Sequence, residues 1–246
     1  MSAQVQLPSD IEGLARQVDP LSRRGFFMSS AAAAAAGYTL AAGPVRAQAI
    51  TTPGDGLNEG LSAVKVEGGE MPVYFALPTT VQNPPVIVVA MEVFGLHEYI
   101  KDVTRRLAKL GAFAIAPDYY FRLGDLTRIA EINKLMPLVN SKSDAELISD
   151  LDATVQWAKS QGGDTDRLGI MGFCRGGRTV WEYCAANADV KAGVAFYGSL
   201  ADPAAQKSIW PKSPLQLAPE MKAPLLGLYG GADQGISSSQ IEDMKA

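Results

Sequence analysis

The chain has 246 residues, 47% of them hydrophobic, enough to bury a full core, and one domain is the natural reading. Its formal net charge is −4 and no basic stripe runs along any segment, so nucleic acid is not an expected partner. One histidine and two cysteines supply no ligand cluster, and no nucleotide-type glycine fingerprint is present, so neither metal nor cofactor is expected.

The N-terminal 49 residues read as a leader. Ser22-Arg23-Arg24-Gly25-Phe26-Phe27-Met28 is a twin-arginine motif, followed by an alanine-rich run from Ala31 to Val45 and by Ala47-Gln48-Ala49. That run is shorter and less apolar than the ~20 residues of a membrane anchor. The expectation is recognition of residues 22–28 by the twin-arginine export machinery, cleavage before Ile50 and a periplasmic mature protein, with a permanently tethered N-terminus as the alternative. Residues 50–60 read as a polar linker and 61–246 as the folded domain.

Two strands open the domain, Ala63–Glu67 and Met71–Leu77, with Gly68-Gly69 marking a hairpin between them. Pro85–Met91 is a continuous β-branched run, the pattern of a strand buried on both faces. A helix is expected from about Glu98 to Leu110, with Ile100, Val103, Leu107 and Leu110 as its apolar stripe. The strand Ala112–Ala116 follows, then helices over roughly Asp125–Val139, ended or kinked by Pro137, and Asp144–Ser160. Further strands are expected at Arg167–Met171, Ala192–Tyr197 and Pro224–Gly230, and Ser237–Ala246 opens a helix. Buried strands alternating with helices predict an α/β fold, its sheet mainly parallel with the first hairpin at an antiparallel edge.

Chemistry in such sheets gathers at the C-terminal strand ends. Between the fifth strand and its helix stands Gly172-Phe173-Cys174-Arg175-Gly176-Gly177. Small residues flanking a central nucleophile at a strand-to-helix turn make a nucleophile elbow, and the helix N-terminus favours the thiolate of Cys174. The alternative is a buried structural cysteine before a glycine-rich turn. As a nucleophile, Cys174 attacks a carbonyl carbon, and the oxyanion takes hydrogen bonds from the N–H of Arg175 and that of Val93 or Phe94. Glu92, Arg122 and Asp233 also follow strand ends, with a loop acid, a surface ion pair and a turn residue as their alternative readings. Cys184 lies ten residues beyond Cys174, ~15 Å along a helix, out of disulfide reach, and reads as a packed small residue.

GFCRGG, Met91-Glu92-Val93-Phe94-Gly95-Leu96 and Pro117-Asp118-Tyr119-Tyr120-Phe121-Arg122 together resemble the dienelactone hydrolases (carboxymethylenebutenolidases) over about residues 60–235. The resemblance implies an α/β-hydrolase fold and the opening of an unsaturated enol-lactone through a Cys174 acyl-enzyme. It further implies that Glu92 holds the resting thiol and takes its proton, that Arg122 pairs with a substrate carboxylate, and that Asp233 orients a histidine. That histidine belongs after Asp233, following one more strand. The chain's one histidine, His97, lies instead beside Glu92 and reads as a capping or surface residue, with a substrate-pocket residue as the alternative. Two accounts fit: a sequence that continues past Ala246, favoured because the last strand is missing together with the histidine, or a domain that lost its triad. The function readings are accordingly a lactone hydrolase, a hydrolase of another ester or lactone, or a triad-deficient domain that binds a ligand or partner.

Overall fold

A computed structural model describes residues 51–245; the twin-arginine segment and the rest of the expected leader lie outside them. Strands β1 (Leu57–Val66) and β2 (Gly69–Pro78) form the expected hairpin, turning through Glu67 and Gly68, whose φ of 82° suits a residue without a Cβ. β1 starts four residues before the expected linker ends. Gly60 is extended, and Leu57 to Gly60 pair with Phe75 to Pro78, so the polar composition there marks an edge strand.

The remaining strands are β3 (Pro85–Ala90), β4 (Phe113–Pro117), β5 (Asp164–Phe173), β6 (Val190–Phe196) and β7 (Leu225–Leu228). Among the described residues they join one sheet in the order β1-β2-β4-β3-β5-β6-β7. β2 meets β4 antiparallel; β4, β3, β5, β6 and β7 run parallel. Val86, Val88 and Val89 of β3 and Phe113, Ala114 and Ile115 of β4 have no solvent exposure, as the β-branched runs require. Each of these valines, Phe113 and Ile115 contributes about 1.5–3 kcal/mol on burial.

The helices are α1 (Glu98–Lys109), α2 (Ile132–Val139), α3 (Asp144–Ser160), α4 (Arg175–Ala186), the single turn α5 (Pro214–Leu217) and α6 (Ser238–Asp243). α3 begins at Ser143, whose side chain accepts the Glu146 N–H at 3.2 Å. Two elements differ from expectation. Leu110 lies just past the end of α1 and is exposed, while Asp102 and Arg105 are buried on that helix as ion-paired residues. The expected Asp125–Val139 helix is two pieces: Asp125 accepts the Thr127 N–H and starts a short 3-10 turn, and regular helix begins only at Ile132. Pro137 sits inside α2 without ending it.

Candidate active site

Because β3, β5, β6 and β7 are parallel, the residues that follow them emerge at one end of the sheet: Glu92, Cys174, Tyr197 and Asp233. Cys174 joins β5 to α4 with φ 54° and ψ −116°, a strained conformation for a residue with a Cβ. Such strain costs about 1–3 kcal/mol and persists only where the surroundings enforce it. Here the glycines enforce it. A Cβ on Gly172 would stand 2.4 Å from the Gly176 carbonyl oxygen, and one on Gly176 would stand 2.1 Å from that of Ala90 and 2.8 Å from that of Met91. One on Gly177 would stand 2.6 Å from the Phe196 carbonyl oxygen. The first turn of α4 therefore lies directly on the ends of β3 and β6, which carry Glu92 with Val93 and Tyr197.

Cys174 is half-buried, and its N–H donates to the Phe196 carbonyl at 2.9 Å. The Arg175 N–H heads α4, where first-turn amides have no acceptor within the helix. Cys184 keeps its thiol fully buried in the core, and burial pushes that thiol up to about 12.

Glu92 is buried, 8% exposed, and its Oε2 lies 2.7 Å from Nε2 of His97. His97 occupies the N-cap position of α1, but its side chain makes no cap bond; the imidazole turns to Glu92 instead. Its Nδ1 is buried with no hydrogen-bond partner. Sequence reasoning set His97 aside, although its five-residue spacing from Glu92 on one loop was the available signal.

Tyr197 was also missed. It has φ 39° at the end of β6, and its N–H donates to the Leu228 carbonyl at 2.8 Å. Burial raises its phenol, and the charges of Glu92 and Cys174 raise it further, so the hydroxyl stands within the field of both. Tyr119, also at this end, donates its hydroxyl to the Met91 carbonyl at 2.7 Å and secures the start of the Glu92 loop.

The other two expected residues are placed differently. Arg122 grips Asp150 through Nη1 at 2.8 Å and Nη2 at 3.0 Å, reaches Glu146 at 2.8 Å and donates to the Glu67 carbonyl. Its fork is filled by its own chain, the ion-pair reading of that residue. Asp233 is exposed, and its Oδ1 accepts the N–H groups of Gly235 at 2.7 Å and Ile236 at 3.3 Å. The structure packs the turn that carries Cys174 against the strand end that leads into Glu92 and Val93; among the described residues Asp233 has no contact with His97. Among the described residues no three His, Cys, Asp or Glu side chains are grouped to hold a metal ion.

The dienelactone hydrolase family model matches residues 71–246. A Methylorubrum extorquens protein provisionally named carboxymethylenebutenolidase is 48% identical over 240 residues, covering 96% of this chain and 80% of its own. One of the same provisional name from Escherichia coli K12 is 43% identical over 85% of this chain and 77% of its own. The crystal structure of a provisionally named dienelactone hydrolase from Klebsiella pneumoniae is 41% identical and superposes with a TM-score of 0.73. It covers 77% of this chain and 79% of that one. The chain therefore belongs to the dienelactone hydrolase family, hydrolases of ester and lactone bonds.

Proposed function

We propose that the chain opens an ester or enol-lactone through an acyl-enzyme on Cys174. The observation that carries this reading is the strained Cys174 backbone, held by glycines against the loop that bears Glu92. Glu92 accepts the thiol proton, and Sγ attacks the carbonyl carbon. The N–H groups of Arg175 and Val93 receive the oxyanion. The C–O bond then breaks, and the leaving oxygen takes back the proton from Glu92. Water gives its proton to Glu92 and attacks the thioester carbonyl; the C–S bond breaks, the acid product leaves, and the Cys174 thiolate takes the proton back from Glu92. His97 on Oε2 holds the carboxylate in place for both transfers.

The test is intact-protein mass spectrometry after rapid quench with p-nitrophenyl acetate, alongside steady-state turnover. Cys174→Ala should lose the acyl adduct and at least roughly 10³-fold in turnover. Adduct or turnover retained in Cys174→Ala would refute the assignment. A folded wild-type protein giving no adduct would favour a ligand-binding member of the family.

Export belongs to the same proposal. Replacing Arg23 and Arg24 by lysine should leave the protein in the cytoplasmic fraction, and unchanged periplasmic recovery would remove twin-arginine export from the reading.

A further inference from the structure

Glu92 and His97 share the loop between β3 and α1, and the imidazole is fixed there from several sides. The His97 N–H donates to the Gly95 carbonyl at 3.0 Å, and the His97 carbonyl accepts the Lys101 N–H at 3.2 Å, so its backbone is held at the head of α1. The ring lies within 16° of parallel to that of Tyr99, their centres 6.3 Å apart. Tyr99 in turn meets Phe173, centres 5.8 Å apart, and Phe173 immediately precedes Cys174. A continuous set of ring contacts therefore runs from the partner of Glu92 to the nucleophile turn.

The two ring nitrogens have different surroundings. As the base of the reaction Glu92 is ionised and only accepts, so Nε2 carries the hydrogen of the 2.7 Å bond to Oε2. Nδ1 is buried with no hydrogen-bond partner, and a second proton there would be a buried, unanswered N–H. The charged side chains that follow on α1, Glu98 and Lys101, pair with each other at 2.7 Å. The carboxylate of Glu92 draws a second proton toward the ring, but that proton would have to sit on Nδ1, the nitrogen turned away from Oε2. A neutral imidazole protonated at Nε2 satisfies both nitrogens best.

We propose that His97 is the positioning residue of the proton transfer: as a neutral Nε2–H donor it holds Oε2 of Glu92 throughout the cycle and leaves Oε1 as the atom that takes and returns the proton of Cys174. This rests on the reading of Cys174 as the nucleophile and Glu92 as its base. When the thiol S–H bond breaks, an O–H bond forms at Oε1, and Oε2 remains an acceptor for the same Nε2–H. The hydrogen bond survives in both protonation states, and the carboxyl group need not turn between them. An imidazolium would favour the ionised carboxylate more strongly and so weaken Glu92 as a base. The neutral ring fixes the geometry at a smaller cost in basicity.

His97 is the only histidine of the chain, so the full chain labelled at its histidine ring nitrogens reports one imidazole. Nitrogen NMR at neutral pH should show Nε2 protonated and Nδ1 bare. Two protonated nitrogens, or the proton on Nδ1, overturn the proposal, and this measurement needs no variant. Steady-state turnover of p-nitrophenyl acetate supplies the second readout. Because Glu92 serves acylation and deacylation alike, His97→Leu should lower kcat roughly 10²-fold, as a slightly displaced base does, and leave KM within about 3-fold. His97→Gln, whose amide N–H extends to a reach similar to that of Nε2, should recover most of the loss. His97→Asn, with its shorter side chain, should not. Wild-type turnover in His97→Leu, or equal losses in all three variants, overturns the proposal and leaves Cys174 and Glu92 in their roles. Wild-type turnover in Glu92→Gln overturns the reading of the base and this proposal with it.

Discussion

Arg175 and Arg178 stand one turn apart on α4, and their guanidinium carbons lie 4.2 and 4.5 Å from the centre of the same Trp210 ring. Their electrostatic settings are opposite. Arg178 is 1% exposed among three carboxylates. Asp202 takes Nε at 2.7 Å and Nη2 at 2.6 Å, Asp144 takes Nη1 at 3.0 Å, and Glu182 takes Nη1 from one turn further along α4. Arg175 has only the neutral Asn140 and the indole. A shared aromatic neighbour thus does not define what a buried or half-buried arginine does; the acids around it do. Arg178 ties the start of α3 and the loop after β6 to α4, whereas Arg175 meets no acid and holds only the end of α2 and the Trp210 ring.

The largest effect that should separate the two is on stability. Arg178→Met leaves Asp144, Glu182 and Asp202 facing one another without their cation. Removing one partner from a buried ion cluster costs about 3–5 kcal/mol, which urea unfolding should record. A loss below about 1 kcal/mol would show that the cluster is not the tie described here.

A second prediction sharpens the same contrast through pH. Burial pushes the Glu182 carboxyl well above the usual carboxylate range; Arg178 opposes this, while Asp144 and Asp202 reinforce it. One Glu182 oxygen is buried with no hydrogen-bond partner. Because the folded state holds this proton more tightly than the unfolded chain, the associated stability is complete below the ordinary glutamate value of 4.5. It is lost as pH rises from there through the folded-state value. Glu182→Gln keeps an oxygen for Arg178 and does not titrate. The variant should therefore gain stability over wild type as pH is raised from 4.5 to 8, in urea titrations at several pH values. A difference that stays flat or shrinks would mean Glu182 is ionised in the fold.

These two arginines also mark the limit of what the sequence discloses. The elbow was legible because its determinants are local: Gly172, Gly176 and Gly177 flank Cys174 within six residues, and each excludes a Cβ by a backbone oxygen close by. The parallel core was legible for a similar reason, since continuous β-branched runs such as Val86–Val89 have few other uses. Partner choice was not. Arg122 meets Asp150 across 28 residues, and Arg178 meets Asp202 across 24 and Asp144 across 34. No local pattern tells an arginine with a distant acid from one without. The pairing of His97 with Glu92 was hidden differently: both lie on the β3–α1 loop, and only its path decides whether the imidazole caps the helix or turns to the carboxylate.

The smallest predicted effect on stability tests the comparison most directly. Arg175→Gln removes a stack over an indole and one hydrogen bond to a neutral acceptor, together about 1 kcal/mol at a half-buried position. Urea unfolding should therefore place Arg175→Gln close to wild type and far from Arg178→Met. If Arg175→Gln were as damaging as Arg178→Met, the missing acid partner would be immaterial, and Arg175 would be a second structural tie of α4.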